Sequence, residues 1–349
     1  MKKFIVILIA ISLVVVPLAG CGGNGGNGGG GNGAAVENGA PTEQIIFRFG
    51  NVFAEDSYQS RTMTYFVELL SDRIPRLRVD THFNSILGDE LGLSESVSNG
   101  SVDMIAIGTG IGMFAPNVLA SELPYLFESW EHYYAVINDP RYLEIISRGL
   151  AENNVISLGF NPIGARHLTS NRPITSMDDF SGLRFRVPNL PLFIQMGESF
   201  GASVVPMPFV ELFTALESGV VDSMEMPFNM TISNRFYEVT NYIIQSAHMQ
   251  TTSMWLINEA SYNSLTAAEQ QILRDTVREA LSYGIEILVH GDASDIEYLE
   301  SQGITVLTPS PAFLSDLIAA TQAVRDWFAE ENPDALEIFA IVEEIRDSM

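Results

Sequence analysis

The sequence predicts an α/β protein with a mostly parallel sheet and two lobes. Segments that alternate like strands take turns with segments of helical period early in the chain, as in sheets that are covered by helices. About 305 of the 349 residues follow an N-terminal leader and a Gly/Asn-rich segment, and single cores usually stop growing near that size. We therefore expect two compact lobes. No internal repeat is visible.

The first lobe is predicted to open with a strand, an amphipathic helix, a strand, a short helix and a strand. These elements fall at 45–50, 57–74, 77–83, 88–99 and 102–107. The short helix should end at Gly100, because glycine readily takes the left-handed conformation that closes a helix. Two further helices are predicted within 129–152, and a strand follows at 155–160.

The second lobe is predicted to begin near Gly164. Its strands are expected at 183–187 and 220–224, and its helices at 190–200 and 209–218. Two adjacent candidate strands, at 242–248 and 253–258, could carry the chain back between the lobes. Thr266 then caps a long helical stretch towards Glu300, and helices are expected from there to the end of the chain.

Residues 1–20 have the pattern of a secretory signal. Lys2 and Lys3 precede an apolar run over 4–19 that ends in small residues. The alternative is a membrane-spanning helix, but sixteen residues reach about 24 Å, which falls short of a hydrocarbon core of about 30 Å. Pro17 also disfavours a continuous helix. We therefore expect a signal segment that is removed.

Cys21 is the single cysteine of the chain, which excludes a disulfide framework and a thiolate metal cluster. Its place at the end of Leu18-Ala19-Gly20-Cys21 resembles a bacterial lipobox, in which the thiol is lipidated and the cysteine becomes the new N-terminus. An incidental thiol is the alternative. Residues 21–43 are rich in Gly and Asn and predict a flexible tether. The resemblance implies an extracytoplasmic protein that is anchored to the lipid bilayer through Cys21.

The folded body is strongly acidic. Loss of residues 1–20 removes both lysines and no acid, which moves the net charge from −25 to −27 and leaves arginine as the only cationic side chain besides histidine. Such a charge disfavours nucleic acid and anionic lipid surfaces as partners. An acidic surface without lysine suits a saline or alkaline habitat, and it equally suits solubility alone.

The sequence offers no pattern for a cofactor, a metal or a nucleophile. Gly108–Gly112 follows a strand, but Met113 stands where a dinucleotide loop needs its third glycine, and no Walker lysine is present. The five histidines never pair at metal-ligand spacing. A nucleophile elbow is absent, and a lipidated Cys21 leaves no reactive thiol. We therefore expect no cofactor and no enzymatic activity.

Arg166 and Arg186 lie in the most patterned stretch of this acidic chain, 164–191. A guanidinium can grip a carboxylate through two parallel hydrogen bonds, which predicts that they hold the carboxylate of a small ligand. Alternation over 182–188 places Arg184 and Arg186 on one face of a strand, so periodicity alone cannot choose between them. Arg186 lies nearer the carboxyl end, where α/β sheets bind ligands. A solvated pair of arginines is the alternative.

Several segments resemble the solute-binding proteins of tripartite ATP-independent periplasmic (TRAP) transporters, the DctP family. Residues 182–188 match its G-x-K/R-hydrophobic-R-V-P strand, 166–173 match the T-S/N-rich segment upstream, and 201–222 match a long run that begins G-A and ends V-D. Weaker matches occur at 87–89, 99–103, 123–125 and 236–239. The resemblance spans 45–265 in the right order, and it implies a two-lobed periplasmic-binding-protein-like fold with crossing hinge strands and a long helix that spans the lobes.

The resemblance also implies the binding residues. The ligand carboxylate would bind Arg186, and Arg166 would be the second cation. The family pattern then implies lobe I at 44–163 plus about 252–290, and lobe II at 164–251 plus about 291–349.

Further contacts are implied from both lobes. Asn189 would lie beside the carboxylate and Phe209 against the body of the ligand. Glu90 and the Gly108–Thr109 loop would face the ligand from lobe I. Each has an alternative role, with Asn189 as a helix cap, Phe209 as a core residue and Glu90 as a solvated helix start.

The chain departs from the family at Met226. Many relatives carry asparagine in an E-N-P pattern, where this sequence reads Glu225-Met226-Pro227. Met226, with Met207 and Met224 near it in sequence, predicts a less polar wall and a ligand with fewer hydroxyls than a sialic or uronic acid. A place for Met226 in the core is the alternative.

The sequence therefore predicts a protein that captures a small organic anion and delivers it to TRAP membrane permease subunits. It is expected to act as a monomer. A sensory lipoprotein that presents the bound acid to a receptor would use the same pocket, so that alternative stays open. An anchored enzyme on the same scaffold is disfavoured by the missing nucleophile and metal set.

Overall fold

The computed structural model describes residues 43–289 and 292–349. The predicted signal at 1–20, Cys21 and the predicted tether up to residue 42 lie outside the described residues. Within the described part, nine strands form one mixed sheet with helices on its faces, which confirms the predicted α/β class.

The strands are β1 (Ile45–Asn51), β2 (Leu77–His82), β3 (Met104–Ile107), β4 (Val155–Ser170), β5 (Arg184–Val187), β6 (Ser203–Pro206), β7 (Ser223–Met226), β8 (Tyr242–Asn258) and β9 (Thr305–Leu307). Their spatial order is β2-β1-β3-β8-β4-β7-β5-β6, and β9 pairs with β8. Pairs within each lobe are parallel, except that β7 lies antiparallel to β4 and β3 antiparallel to β8. The mostly parallel sheet that was predicted is therefore divided by an antiparallel pair in its middle.

The α-helices are α1 (Tyr58–Arg73), α2 (Glu90–Asn99), α3 (Trp130–Ile137), α4 (Pro140–Ala151), α5 (Pro191–Ser199), α6 (Leu212–Glu217), α7 (Phe228–Ser233), α8 (Glu259–Asn263), α9 (Ala267–Val289), α10 (Asp292–Ser301), α11 (Pro311–Ala320), α12 (Gln322–Glu331) and α13 (Ala335–Ser348). Short 3₁₀ helices occupy Thr109–Met113, Pro116–Glu122, Met177–Phe180, Phe209–Glu211 and Phe236–Glu238. As predicted, α2 ends at Gly100, whose φ of 77° is left-handed. The predicted helix at 209–218 is a 3₁₀ turn followed by α6.

The strands β4 and β8 are the crossing strands of the two-lobed fold. They pair antiparallel from Val155 opposite Asn258 to Ser170 opposite Tyr242. In one lobe, β3 pairs with the C-terminal end of β8. In the other lobe, β7 pairs with the C-terminal end of β4 and β9 with the N-terminal end of β8. Both long strands therefore run through both lobes.

The sequence prediction of a short strand at 155–160 and of two separate strands within 242–258 was wrong. The register of β4 and β8 shifts at three places, next to Gly159, at Pro162–Gly164 and between Arg166 and Leu168. Each irregularity changes the face to which the following side chains point, so the alternation that reveals a strand is interrupted. The hydrogen bonds between the long strands continue across these points.

The long helix α9 packs against α1 and against β4. Gly284 allows this close approach, because an added Cβ would lie 2.6 Å from Asn161 Oδ1 and 2.8 Å from Thr62 Oγ1. The predicted helical stretch towards Glu300 is divided into α9 and α10, and β9 follows before α11. The prediction of helices alone to the end therefore missed a strand, since three residues are too few to show alternation.

An aromatic cluster fills the space between the sheet and α1. Trp255 of β8 lies 5.1 Å from Phe49 of β1 and 5.3 Å from Phe66 of α1, with ring planes near perpendicular. All three side chains are fully buried. Such edge-to-face contacts add to the hydrophobic stabilisation of this lobe.

No helix within the described ranges is long and apolar enough to cross a membrane.

Candidate functional site

A cavity of about 120 Å³ lies at the carboxyl ends of β5 and β7. Its wall comes from both lobes, and it includes Val52 after β1 and Gly108 after β3 on one side, and Arg186, Phe209 and Met226 on the other. Parallel α/β sheets bind ligands at the carboxyl ends of their strands, so this cavity is the candidate binding site.

Arg186 lies on β5 in the cavity wall and is 2% exposed. Its Nε and Nη2 donate hydrogen bonds to the carbonyl oxygen of Met207, at 3.2 and 2.8 Å. None of the ion pairs within residues 43–289 and 292–349 involves Arg186. Burial lowers its pKa to about 10, partly offset by Glu225, so the guanidinium remains charged at neutral pH. A buried cation that has only a carbonyl partner is suited to bind an anion.

Arg184, two residues earlier on β5, has a different environment. Its side chain is 47% exposed and pairs with Asp222 at 2.5 Å. The two arginines share a face of the strand, but the amino end of β5 opens to solvent while its carboxyl end meets the cavity. The tertiary structure therefore separates the two candidates that alternation left equal.

Arg166 lies on β4 in the same cavity wall, and it already has a carboxylate partner. Its Nε and Nη2 both donate to the carboxylate of Glu225, the second at 2.7 Å, and Nη2 also donates to the carbonyl oxygen of Glu225 at 3.1 Å. Burial alone would lower the pKa of Arg166, but the charge of Glu225 outweighs it and raises that pKa. Arg166 also stacks over the Phe193 ring, 5.3 Å from its centroid.

Glu225 is fully buried on β7, and sequence analysis did not predict its role. Burial alone would raise the pKa of Glu225, but Arg166, with help from His248, outweighs it and holds that pKa below its usual value. His248 Nε2 lies 3.8 Å from Glu225 Oε2, and its Nδ1 lies 2.8 Å from Ser246 Oγ. Burial lowers the pKa of His248, so the ring is neutral near pH 7. Arg166 and Glu225 therefore form a neutral pair.

On the lobe I side, Glu90 begins α2 and lines the cavity. The backbone N–H of Gly108 donates to Glu90 Oε1 at 3.1 Å. A Cβ on Gly108 would lie 2.9 Å from that oxygen, and one on Gly110 would lie 2.5 Å from Glu90 Cβ. The glycines let the loop after β3 close onto Glu90. Thr109 begins the 3₁₀ helix Thr109–Met113.

The other predicted contacts also lie in the cavity wall. Asn189 is exposed, Phe209 is half-buried, and Met226 is 2% exposed at the end of β7. The alternative role of Asn189 as a helix cap was wrong, because Leu190 is the N-cap of α5 and no side chain caps it. Met224 does not belong to the wall, although its position near Met226 in the sequence had predicted it there.

Thr251 and its partner Glu122 were not predicted from the sequence. Thr251 lines the cavity and donates to Glu122 Oε1 at 2.5 Å. Glu122 is 3% exposed and its Oε2 has no hydrogen-bond partner among the described residues. Burial raises the pKa of Glu122 to about 8, although Arg166 acts in the opposite direction. The two residues are 129 positions apart, so no local pattern could have paired them.

The described residues contain no cluster of histidine, cysteine or acidic side chains that could hold a metal ion. Within the described residues, the wall thus offers one guanidinium without a carboxylate partner, one neutral ion pair, the carboxylates of Asp89 and Glu90 on the opposite lobe and a largely apolar surface. A two-lobed α/β fold with crossing strands and such a cavity between its lobes is that of an extracytoplasmic solute-binding protein.

Residues 49–332 match the model of the DctP family, bacterial extracellular solute-binding protein family 7. The chain therefore belongs to this family. A solute-binding protein of Roseobacter denitrificans is 32% identical over 299 residues, which cover 85% of this chain and 91% of that protein. Its solved structure with bound L-galactonate has a TM-score of 0.78 and covers 87% and 99% of the two chains.

Two other relatives agree with this assignment. The 2,3-diketo-L-gulonate-binding periplasmic protein YiaO of Escherichia coli is 27% identical over 304 residues, or 86% of this chain and 92% of that protein. A TRAP periplasmic solute-binding protein of Haemophilus influenzae with bound L-gulonate is 25% identical, with a TM-score of 0.83 over 86% and 100% of the chains. The chain is therefore an extracytoplasmic solute-binding protein of a TRAP transporter, as its sequence predicted.

Proposed function

We propose that this protein captures a small organic carboxylate through Arg186 and delivers it to TRAP permease subunits, without making or breaking a bond in it. The observation that supports this proposal is the buried guanidinium in the cavity wall, whose hydrogen bonds go to a carbonyl oxygen and not to a carboxylate. A ligand carboxylate supplies the missing opposite charge. Closure of the lobes strengthens this contact, because exclusion of water lowers the local dielectric.

Arg166 has a supporting role in this proposal. Glu225 balances its charge, so Arg166 offers the ligand a hydrogen-bond donor more than a net attraction. The pair is buried beside Arg186 and cannot move without exposing two charges to an apolar environment. It therefore holds the guanidinium of Arg166 in a fixed orientation towards the ligand.

The remaining contacts close around the bound acid. Asn189, which follows β5, donates to the carboxylate held by Arg186, and Phe209 and Met226 cover the body of the ligand. From lobe I, Glu90 and the Gly108–Thr109 loop meet the far side of the ligand when the lobes close. Support for these roles comes from the places of Asn189, Phe209, Met226, Glu90 and Gly108 around one cavity, and Thr109 is included because it follows Gly108 in the chain.

A matched pair of variants tests the role of Arg186. Wild-type protein is first screened by thermal shift against a panel of organic acids, since ligand binding to the native state raises apparent stability. For the acid that binds, Arg186→Ala is expected to lower affinity at least 100-fold, as expected for a lost charge-assisted contact of about 3 kcal/mol. Arg184→Ala, on the same strand but exposed, is expected to keep affinity within about twofold.

Circular dichroism of both variants separates lost binding from lost folding. Wild-type affinity in a folded Arg186→Ala protein would exclude Arg186 as the anchor. Equal loss in both variants would show that the strand, and not its buried guanidinium, matters for binding.

We further propose that lipidation of Cys21 tethers the folded body to the outer face of the membrane, and that the body is a monomer. The lipobox-like sequence before Cys21 and the Gly/Asn-rich segment after it support the tether. Cys21→Ser is expected to move the full-length protein from the membrane to the soluble fraction of the native cell. Continued membrane attachment of that variant would contradict lipid anchoring. Light scattering measures the mass of the body and thereby tests whether it is a monomer.

A further inference from the structure

From the charges and the wall of the cavity, we infer that the ligand is a monocarboxylate with a largely apolar body, and not a dicarboxylate or a polyhydroxylated sugar acid. This inference rests on the proposed capture of a carboxylate by Arg186 and adds the chemical class of the molecule attached to that carboxylate.

The charges of the site leave one cation for the ligand. Glu225 holds Arg166 with two hydrogen bonds and cancels its charge inside the protein. Arg186 thus remains as the cation of the wall without a carboxylate partner in the described part of the chain. Glu90 adds a negative group from lobe I. A second carboxylate on the ligand would lose its water and meet Glu90 without a cation of its own, which disfavours a dicarboxylate.

The wall around this cation is mainly apolar. Met207, Met226 and Met230 are buried in it at 8%, 2% and 6% exposure, and Phe209 belongs to the same wall. Methionine side chains are flexible and polarisable, so they adapt to branched or irregular apolar groups. A hydroxyl placed against these side chains gives up hydrogen bonds to water and receives none in return.

Most of the polar groups in the wall already have hydrogen-bond partners inside the protein. Asp89 accepts the N–H of Gly92 as the cap of α2, and Glu90 accepts the N–H of Gly108. The hydroxyl hydrogen of Thr251 is directed to Glu122, so Thr251 can only accept a hydrogen bond from a ligand. One donor group on the ligand fits beside Thr251, whereas a sugar acid brings a hydroxyl on nearly every carbon.

Acids matched in chain length test this inference with the wild-type body. Affinities of 4-methylpentanoate, hexanoate, adipate and L-gulonate are measured by calorimetry at fixed pH and salt. At least one of the two aliphatic monocarboxylates is expected to bind at least 30-fold more tightly than adipate and L-gulonate. Tighter binding of L-gulonate or adipate, or failure of both aliphatic acids to bind, would overturn the inference.

Variants at two methionines locate the selectivity. Met226→Asn places an amide in the buried wall and is expected to shift the affinity ratio of 4-methylpentanoate to L-gulonate at least tenfold towards L-gulonate. Met349→Asn is the control, because Met349 is 68% exposed and does not belong to the wall, so it is expected to leave the ratio within about twofold. An unchanged ratio in a folded Met226→Asn protein would contradict the role of the wall.

The proposed function and this inference can fail separately. If L-gulonate binds best and Arg186→Ala abolishes its binding, capture through Arg186 stands and the apolar class is wrong. If an aliphatic acid binds best and Arg186→Ala leaves its affinity intact, the apolar class stands and the anchor is wrong.

Discussion

The buried carboxyl of Glu122 is expected to make the stability of the body depend on pH. Its pKa in the folded protein is about 8, mainly because burial disfavours the charged form, against 4.5 for an ordinary glutamate. Between these values the native state binds a proton that the unfolded state has released. The stabilising contribution is therefore complete below pH 4.5 and is lost as the pH rises through 8.

Replacement of Glu122 by glutamine removes this dependence. Glutamine keeps an oxygen that can accept the Thr251 hydrogen bond, and it has no proton to lose. A single proton changes the free energy of unfolding by at most about 1.4 kcal/mol per pH unit, so the window from 4.5 to 8 amounts to a few kcal/mol. The free energy of unfolding of the Glu122→Gln protein should increase relative to that of wild type as the pH rises. The difference between the two proteins should level off above pH 8.

Urea denaturation of both proteins at unit steps from pH 5 to pH 9 measures this difference. Glu68→Gln is the control, because Glu68 is exposed on α1 and should change stability by no more than about 0.5 kcal/mol at any of these pH values. A difference between Glu122→Gln and wild type that is the same at pH 5 and pH 9 would refute the reasoning, since it would mean that Glu122 titrates alike in the folded and unfolded chains.

Three further substitutions test the packing of the body in urea denaturation at pH 7. Gly284→Ala should cost about 1–3 kcal/mol, because the new Cβ collides with Asn161 Oδ1 at 2.6 Å; a neutral result would mean that α9 shifts freely. Glu225→Gln should cost about 3–5 kcal/mol, because it leaves Arg166 buried without its opposite charge; a smaller loss would indicate that water reaches the pair. Trp255→Ala should cost about 3–5 kcal/mol through the cavity that it leaves, and an unchanged denaturation midpoint would contradict the packing of the aromatic cluster.

Elements with strong local signals were predicted well from the sequence. The helix predicted at 88–99 is α2, and its predicted end at Gly100 is confirmed. The strands β1 to β3 alternate with helices as expected. The long strands β4 and β8 were predicted only in pieces, because their bulges interrupt the alternation and their continuity depends on pairing with each other.

The candidate site was also predicted only in part from the sequence. Arg186 could be singled out from its place near the end of a strand and from the family pattern. The burial that makes its charge significant comes from the tertiary packing around β5. The sequence also placed Met226 in the wall through its departure from that pattern, whereas the absence of Met224 from the wall needed the structure.

The sequence by itself determined the class of protein and the order of most elements, and it singled out the arginine that we propose as the anion-binding residue, because these depend on local patterns and on spacings shared with a family. The tertiary structure decided the electrostatics of the cavity. Glu225 neutralises the charge of Arg166, from which it is 59 residues away in the chain. Glu122 accepts the hydroxyl hydrogen of Thr251, from which it is 129 residues away. Charges act through space, so pairs that are distant in the chain set how many cations remain for a ligand.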